Sequence, residues 1–384
     1  MGSVTSSRWA ITATFVLHGV AWTAWAARIP SFRSTLDVSL GTLGATLAAV
    51  DIGSLLALPL AGVLLNRRGS RSTLGVFGVG LGLALPLTAA AGTLPWFIAA
   101  LAFLGVSFGG LNMAINAQGV TVEDAYRRPI LGSLHAGWSG GAFLGAAAGG
   151  AAAALGASSL LQLSVLGVVI AIVTLGATTF SLPDTTTATS EAIGLRLPSK
   201  HLAYISLLLL CAVFAEGSVA DWSAVYLRDS LGTPLGFAAL GLVFYAAAMG
   251  LTRLFVDAMS RRFGPVFVLR AGGLVAAVGW GVCLTINRPV PALIGFAALG
   301  AGLAAVSPLT VGAAARTPGI KRGTALAALS TVGTLGFLAG SPIIGGLAEA
   351  TSLRLALYLL VLMTLGVAVL APAVKRASVD TEPS

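Results

Sequence analysis

Charged side chains are scarce in this sequence of 384 residues. Lys, Arg, Asp and Glu together make up 9% of it, apolar residues make up 57%, and the mean hydropathy is +0.94. A soluble protein needs far more charge to cover its surface, so a water-soluble domain is excluded. Apolar runs of about 20 residues recur, which is the length of a membrane-spanning helix. They are too long and too little alternating for the strands of a membrane barrel.

Sequence features of soluble enzymes are also missing. The two cysteines, Cys211 and Cys283, lie inside apolar runs, so we expect neither a disulfide framework nor a metal site. The sequence has no G-x-x-x-x-G-K-[ST] loop for a nucleotide, and no metal-ligand cluster or paired catalytic carboxylates stand out. We therefore expect no enzymatic activity, no ATP hydrolysis and no cofactor.

The net charge of +9 would suit nucleic acid if this were a soluble domain, but the basic residues fall mainly in alternate short loops. Such an excess marks the cytoplasmic side of a membrane protein. We therefore predict no nucleic-acid partner, a multi-pass protein of the bacterial cytoplasmic (inner) membrane, and cytoplasmic amino and carboxyl termini. The predicted outer loops carry only Arg28, Arg33, Arg228, Arg288 and Arg354.

Twelve helical spans are predicted from the apolar runs. They cover approximately residues 9–28, 41–65, 72–92, 95–117, 130–155, 159–181, 202–228, 235–258, 265–286, 290–314, 322–348 and 353–374.

The two halves of the chain are related by one constant shift. The cationic turn that contains Gly69 has a counterpart at Gly264, 195 residues later, and the same shift superposes Gly105 on Gly300. We predict an all-α polytopic membrane protein of two pseudo-symmetric six-helix bundles. Alternating-access transporters place a solute site where two such repeats meet.

Three segments are predicted from this repeat. The polar, Thr/Ser-rich stretch between the halves is typical of a linker. The segments are an amino-terminal bundle over 1–182, a cytoplasmic linker over 183–200 and a carboxyl-terminal bundle over 201–384.

The cationic turn resembles a family signature. Between spans 2 and 3, the major facilitator superfamily carries approximately G-x-x-x-D-R-x-G-R-[RK], which Gly62, Arg67, Gly69 and Arg71 match, with Asn66 in place of the aspartate. The resemblance covers nearly the whole chain. It implies the twelve-helix fold, transport of a solute by a monomer, and a central cavity lined by spans 1, 4, 7 and 10.

A subgroup is also indicated. Ala27-Arg28-Ile29-Pro30 after span 1 and the run from Asn112 to Gly119 in span 4 resemble the fucose-permease-like bacterial transporters. That subgroup would have an acid in span 1 and another in span 4, where this chain has Ala26 or Ala27 and Asn112. We therefore expect neither the specificity for fucose nor the proton site of that subgroup in this chain.

The turn predicts a gate. Asn66, Arg67, Arg68 and Arg71 are expected to bind carbonyls and carboxylates of the opposite half on the cytoplasmic side, holding the outward-open state. The lock is weaker than in the family because Asn66 carries no charge. The alternative is that these arginines only fix the topology.

The second half carries its own gating prediction. Arg253, Asp257 and Arg261 are spaced i, i+4, i+8, which predicts a ladder on one side of span 8 that acts as a latch. In span 5, His135 and Trp138 are expected to approach the same cytoplasmic gate.

Two carboxylates lie near mid-membrane, Asp51 in span 2 and Glu216 in span 7. A charge there has to be paired, solvated or protonated. Both are candidate proton-coupling residues, and the family's cavity favours Glu216. The alternative is a buried structural pair. Asp221 is predicted on a different face from Glu216 and is expected to pair with Arg228.

Solute-binding candidates come from four spans, and Glu216 in span 7 is one of them. Span 1 places Thr14, His18, Trp22 and Trp25 in one stripe, which suits a ring-shaped solute or a packing seam.

In span 4, Asn112 and Asn116 could bind a polyol or hold helices together. In span 10, Ser307 and Thr310 beside Pro308 are further candidate linings.

Span 5 bears on the direction of transport. Gly132, Gly141, Gly145, Gly149 and Gly150 resemble an antiporter motif, but Ala146 takes the place of its proline, so the kink is not expected. The sequence predicts proton-coupled uptake of a sugar-like solute. Proton-antiport efflux of an amphipathic compound and a transporter-like sensor remain as alternatives.

Overall fold

The computed structural model describes residues 4–128, 130–183, 200–317, 320 and 322–375. Within these ranges the chain is helical and contains no strand. A π-helical turn (Tyr226–Ser230) follows α7 and a 3₁₀ turn (Ala371–Val374) follows α16. The helices are α1 (Val4–Ala26), α2 (Ile29–Leu36), α3 (Leu40–Ala89), α4 (Leu94–Tyr126), α5 (Leu131–Ala154), α6 (Ser159–Phe180), α7 (Lys200–Val225), α8 (Leu235–Ala238), α9 (Leu240–Arg253), α10 (Val256–Phe263), α11 (Pro265–Ile286), α12 (Pro289–Leu303), α13 (Val306–Ala314), α14 (Arg322–Ala350), α15 (Leu353–Ala356) and α16 (Tyr358–Leu370).

The described helices account for the predicted crossings. Nine helical segments are long and apolar enough to span a membrane, and the bent pair α1 and α2 makes a tenth. The 50 residues of α3 contain two passes that are separated by a kink at Gly69. Helix α5, which has 24 residues and no Asp, Glu, Lys or Arg, is long enough to be the remaining pass. The all-helical polytopic fold is therefore confirmed, whereas most of the predicted linker lies outside the described residues.

The repeat is visible in the backbone at the two cationic turns. Gly69 has φ 77° and its counterpart Gly264 has φ 82°, a region that residues with a Cβ rarely adopt. Both glycines end one pass and begin the next. The two turns therefore share one backbone conformation at positions 195 residues apart.

Helix packing repeats in the same register. A Cβ on Gly105 would lie 1.9 Å from the carbonyl oxygen of Val50, and a Cβ on Gly300 would lie 2.1 Å from that of Tyr245. Each pair is related to the other by the 195-residue shift. In each half, a glycine thus lets the fourth pass approach the backbone of the second.

One face of the bundle collects the ends of α1, α4 and α6, and we call it the termini face. Ser7 Oγ, near the start of α1, donates to the carbonyl of Phe180 at the end of α6 at 2.5 Å. Arg8 donates to the hydroxyl of Tyr126, at the end of α4, at 2.8 Å. Helices that follow one another run in opposite directions, so the other ends form the opposite face.

The opposite face is closed where α3 meets α14. The amide of Gly41 donates to Glu349 Oε2 at 3.1 Å. A Cβ on Gly44 would lie 2.4 Å from the carbonyl oxygen of Ser341 and 2.9 Å from the Cα of Gly345. The two helix backbones are therefore in direct contact, and no side chain separates them.

A second contact closes the same face between α5 and α8. A Cβ on Gly236 would lie 2.6 Å from the Cβ of Ala154, and a Cβ on Gly150 would lie 2.9 Å from the Cβ of Ala239. Each of these four positions lies 195 residues from a position in the contact between α3 and α14. The face is thus closed by two symmetry-related contacts, each joining one half to the other.

An ion pair adds a third link on this face. Arg33 Nη1 lies 2.5 Å from Asp229 Oδ2, with both side chains about 30% exposed. Arg33 is on α2 and Asp229 follows α7, so this pair also joins the two halves.

Candidate functional site

A vestibule of about 830 Å³ lies between the halves. Its walls are the first half of α5, from Gly132 to Phe143, the end of α9, the start of α10 and Pro308 of α13. These are the ends of the helices that lie toward the termini face. The vestibule therefore opens on that face, while the opposite face is closed.

The vestibule narrows to an inner pocket of about 80 Å³. Helices of both halves line it. Aromatic rings and a few polar groups share the lining, as is common in small-molecule sites. The principal lining side chains are Trp22, Trp138, Ser139, Glu216, Tyr245, Arg253 and Phe337.

Charge in the inner pocket comes from Glu216 on α7 and Arg253 on α9. Arg253 Nη2 lies 3.8 Å from Glu216 Oε1, which is an ion-pair distance but too long for a hydrogen bond. Arg253 Nη1 also donates to Ser139 Oγ at 3.3 Å. Since Ser139 belongs to the first half, Arg253 joins the two halves at the pocket.

Tyr245 presents an unsatisfied hydroxyl. The side chain is 5% exposed and lines the inner pocket, and its Oη has no hydrogen-bond partner in the described part of the chain. Buried polar atoms are nearly always paired. Because this hydroxyl is at a pocket wall, it can bind a polar group of a solute. Sequence reasoning missed it, since a tyrosine within an apolar span gives no signal.

His18 does not line the pocket, which is contrary to its predicted role as a solute ligand. Its Nδ1 accepts from Trp138 Nε1 at 3.0 Å, and its Nε2 lies 3.1 Å from the carbonyl of Phe108. The ring stacks on Phe108 with centroids 3.8 Å apart. A neutral imidazole with its proton on Nε2 satisfies both bonds. His18 therefore positions Trp138, which itself lines the pocket.

The other residues of the predicted stripe on span 1, Trp22, Trp25 and Thr14, have different surroundings. Trp22 lines the inner pocket and also a smaller space of about 10 Å³ beyond it, toward the closed face. Trp25 lines only the smaller space, and its Nε1 has no partner among the described residues. Thr14 is fully buried and bonds the carbonyl of Ala10 on its own helix.

Asp51 lines the smaller space together with Asp221. Asp221 accepts a short hydrogen bond from Ser341 Oγ of α14. The predicted pairing of Asp221 with Arg228 is wrong, because Arg228 donates to the carbonyl of Thr233 instead. Sequence spacing could not reveal Ser341, which is 120 residues from Asp221. As expected, Asp221 and Glu216 face different spaces.

Four other predicted ligands are not among the residues that line these three spaces. Asn116 Nδ2 donates to the carbonyl of Asn112 at 2.8 Å, so part of this amide pair is satisfied within α4. Thr310 is fully buried and donates to the carbonyl of Val306 in its own helix. Ser307 is half-buried beside Pro308, which does line the vestibule.

The turn after span 2 makes no lock in this conformation. Asn66, Arg67, Arg68 and Arg71 are all exposed, and none forms an ion pair within the described residues. An open termini face accounts for this, since the halves are apart there. Whether they lock the other state stays a prediction.

Another polar residue anchors this turn. Gln118 accepts from Ser70 Oγ at 2.7 Å.

The predicted ladder on span 8 forms only in part: Arg253 and Asp257 both line the vestibule, but no ion pair joins them within the described residues. The span breaks between α9 and α10 at Leu254 and Phe255. Arg253 therefore pairs with Glu216, whereas Asp257 and Arg261 are exposed and form no ion pair in the described part of the chain. His135 does line the vestibule, as expected, and its ring packs edge-on against Phe15.

Comparison with known proteins identifies the family. The model of the Major Facilitator Superfamily matches residues 205–383. An MFS-type transporter of Yersinia pestis is 33% identical over 362 residues, which cover 94% of each protein. The chain belongs to the major facilitator superfamily. This facilitator is also 33% identical, over 374 residues, to a transporter of Sinorhizobium fredii, covering 95% of this chain and 97% of the relative.

Solved structures show the same fold. A bacterial homologue of the human lysosomal transporter Spinster, in an inward-facing and occupied conformation, matches with a TM-score of 0.76. The match covers 96% of each chain at 15% identity, which supports the fold alone. As a member of this superfamily, the protein is a multi-pass membrane transporter of a small-molecule solute. Its likeness to the fucose-permease-like subgroup stays a prediction.

Proposed function

We propose that this facilitator is a proton-driven secondary transporter that takes up a small polar solute across the cytoplasmic membrane. The observation that carries the proposal is one central pocket, formed by both halves, open to one face and closed to the other. Alternating access requires this arrangement. With both termini in the cytoplasm, as loop charge predicts, the conformation is inward-open.

The chemistry of the pocket favours a ring-shaped solute that carries hydrogen-bonding groups. Trp22, Trp138 and Phe337 provide apolar faces on which a ring can stack. Glu216 and Arg253 offset each other's charge, so the pocket suits a neutral, sugar-like solute more than an ion. The hydroxyl of Tyr245 is one unpaired group available to such a solute.

Coupling to the proton gradient requires an acid that is exposed first to one aqueous phase and then to the other as the two halves move. Glu216 and Asp51 remain the proposed coupling residues, because each lines part of the space between the halves. They differ in their surroundings. Glu216 lies beside Arg253, whereas Asp51 forms no ion pair with any described residue.

The test begins with a thermal-shift screen of monosaccharides, nucleosides and neutral amino acids, and continues with the best binder in proteoliposomes. An inwardly directed proton gradient should concentrate that solute. Glu216→Gln should abolish accumulation, because an amide cannot take up and release the coupling proton. Asp124→Asn, at an exposed carboxylate near the end of α4 that lines none of these spaces, is the control. Accumulation by Glu216→Gln at the wild-type level would contradict the role of Glu216.

Export of an amphipathic compound is the second candidate. It is favoured by the apolar side chains of Phe143, Leu251 and Leu254 in the vestibule wall. The direction of solute movement under an imposed pH gradient separates the two. Solute that moves against the proton flux would support export and contradict uptake.

A further inference from the structure

Two carboxylates from different halves share one small space. Asp51 lies on α3 in the first half and Asp221 on α7 in the second, and both line the space of about 10 Å³ beyond the inner pocket. That is about the room of a single water molecule. Trp22 and Phe337 border both this space and the inner pocket. The acid pair is thus on the closed-face side of the proposed solute site.

Neither carboxylate has a cation beside it. Asp221 accepts from Ser341 Oγ, and Asp51 makes no hydrogen bond or ion pair with a described residue. The other charged and titratable groups nearby are already engaged. Glu216 and Arg253 face each other in the inner pocket.

The remaining titratable groups of the adjoining helices are engaged as well. His18 on α1 uses both ring nitrogens. On α14, Glu349 accepts from the Gly41 amide at the closed face. On α2, Arg33 pairs with Asp229. Among the described residues, no neighbouring cation is therefore left to neutralise the two aspartates.

A second observation is a buried donor without a partner beside the two acids. Trp25 lines it, is 1% exposed, and has an Nε1–H without a partner among the described residues. A buried donor of this kind is almost always paired in a folded protein. A carboxylate oxygen or a water molecule held by the acids would satisfy it.

We propose that Asp51 and Asp221 share one proton while the opposite face is closed. Two ionised carboxylates that face one space with room for a single water molecule repel each other, whereas one protonated carboxyl that donates through such a water to the other carboxylate removes one of the two charges. The proton enters from the water at the opposite face, and the pair then has one negative charge instead of two. This water-mediated link would join α3 to α7 across the two halves.

The consequence is a closing step that takes up a proton. When α3 leaves α7 and α14, the acids separate and each exchanges protons with the opposite aqueous phase. Protonation brings them together again. The inference rests on the proposed alternating access and adds Asp221 as the partner of Asp51 in proton coupling, whereas Glu216, the other proposed coupling residue, lies in the inner pocket.

The experiment measures closing without any solute. Spin labels at Thr93→Cys and Arg288→Cys, exposed positions on the opposite face of the two halves, report the distance between them. Cys211→Ala and Cys283→Ala remove the native thiols. Between about pH 5.5 and 8.5, the ratio of open to closed protein should rise with pH, by up to about tenfold per pH unit for one linked proton.

Substitutions identify the titrating groups. Asp51→Asn and Asp221→Asn should each remove the pH dependence and leave the face closed, because a neutral amide keeps a hydrogen bond without repulsion. Asp124→Asn, at an exposed carboxylate on α4, should retain the pH dependence. Asp51→Glu should also retain a pH dependence with a shifted midpoint, which keeps the test decisive if an asparagine variant does not fold.

Two results would overturn the proposal. One is an unchanged pH dependence in Asp51→Asn. The other is closing that follows sodium concentration at constant pH, which would assign the space to a metal cation. Because no solute is present, failure of the uptake assay refutes only the proposed function. If the distance between the spin labels does not change with pH while proton-driven uptake is preserved, only the acid pair is refuted.

Discussion

Gly44→Ala should open the closed face. The added Cβ would lie 2.4 Å from the carbonyl oxygen of Ser341 and 2.9 Å from the Cα of Gly345. Both are backbone atoms, so no side-chain rotation can relieve the clash. Ordinary contacts begin at 3.4 Å, so α3 and α14 must separate by about 1 Å, at a cost of about 1–3 kcal/mol.

That cost applies to only one of the two states. All the close neighbours of the Gly44 Cβ are on α14, in the other half, so the clash disappears when the halves part. The substitution should therefore raise the ratio of open to closed protein about 5- to 150-fold, since 1.4 kcal/mol corresponds to about a factor of ten. The stability of the amino-terminal bundle itself should be unaffected.

Distances between spin labels at Thr93→Cys and Arg288→Cys measure this ratio directly. Gly62→Ala is the matched control, because it is on the same helix and a Cβ there meets nothing within 4 Å. It should behave like the wild type. An unchanged distance distribution in Gly44→Ala, in protein that folds normally, would refute the view that backbone contact closes this face.

Three further predictions concern individual side chains. Tyr245→Phe removes an unpaired buried hydroxyl, so the melting temperature should stay unchanged or rise slightly. Solute binding should weaken about tenfold. Tighter or equal binding would contradict the role of that hydroxyl. Arg33→Ala should raise the ratio of open to closed protein at most about fivefold, because its exposed pair with Asp229 contributes at most about 1 kcal/mol. The effect should depend on salt concentration. A larger effect in the distance assay would show that the pair dominates closure. Trp138→Phe should destabilise the protein by about 1–3 kcal/mol in thermal unfolding, because His18 Nδ1 loses its hydrogen-bond donor. An unchanged stability would mean that His18 finds another partner.

The architecture was predictable because it depends on composition and on local conformation. Long apolar runs can only be helices in lipid. The turn glycines Gly69 and Gly264 revealed the repeat because a positive φ restricts the residue type. Glu216 stood out because an acid is rare in an apolar run. Each of these signals is contained in a short stretch of sequence.

The arrangement of the site was less predictable because it depends on contacts between distant segments. The ring of His18 is satisfied by Trp138, 120 residues away, so the sequence could not show that it is withdrawn from the pocket. The hydroxyl of Tyr245 matters only because no partner reaches it. The predicted ladder from Arg253 to Asp257 assumed an unbroken helix, and neither Gly nor Pro marks the break between them.

The central claim, that the pocket is open to one face at a time, can be tested with one cysteine. Ala246 lines both the vestibule and the inner pocket, so Ala246→Cys in a cysteine-free background reports access to the pocket. A membrane-impermeant maleimide should label it only from the termini face, and adding Gly44→Ala should make it reachable from the opposite face. Maleimide labelling from neither face would contradict alternating access. So would labelling from the opposite face in protein whose spin-label distance shows that this face is closed.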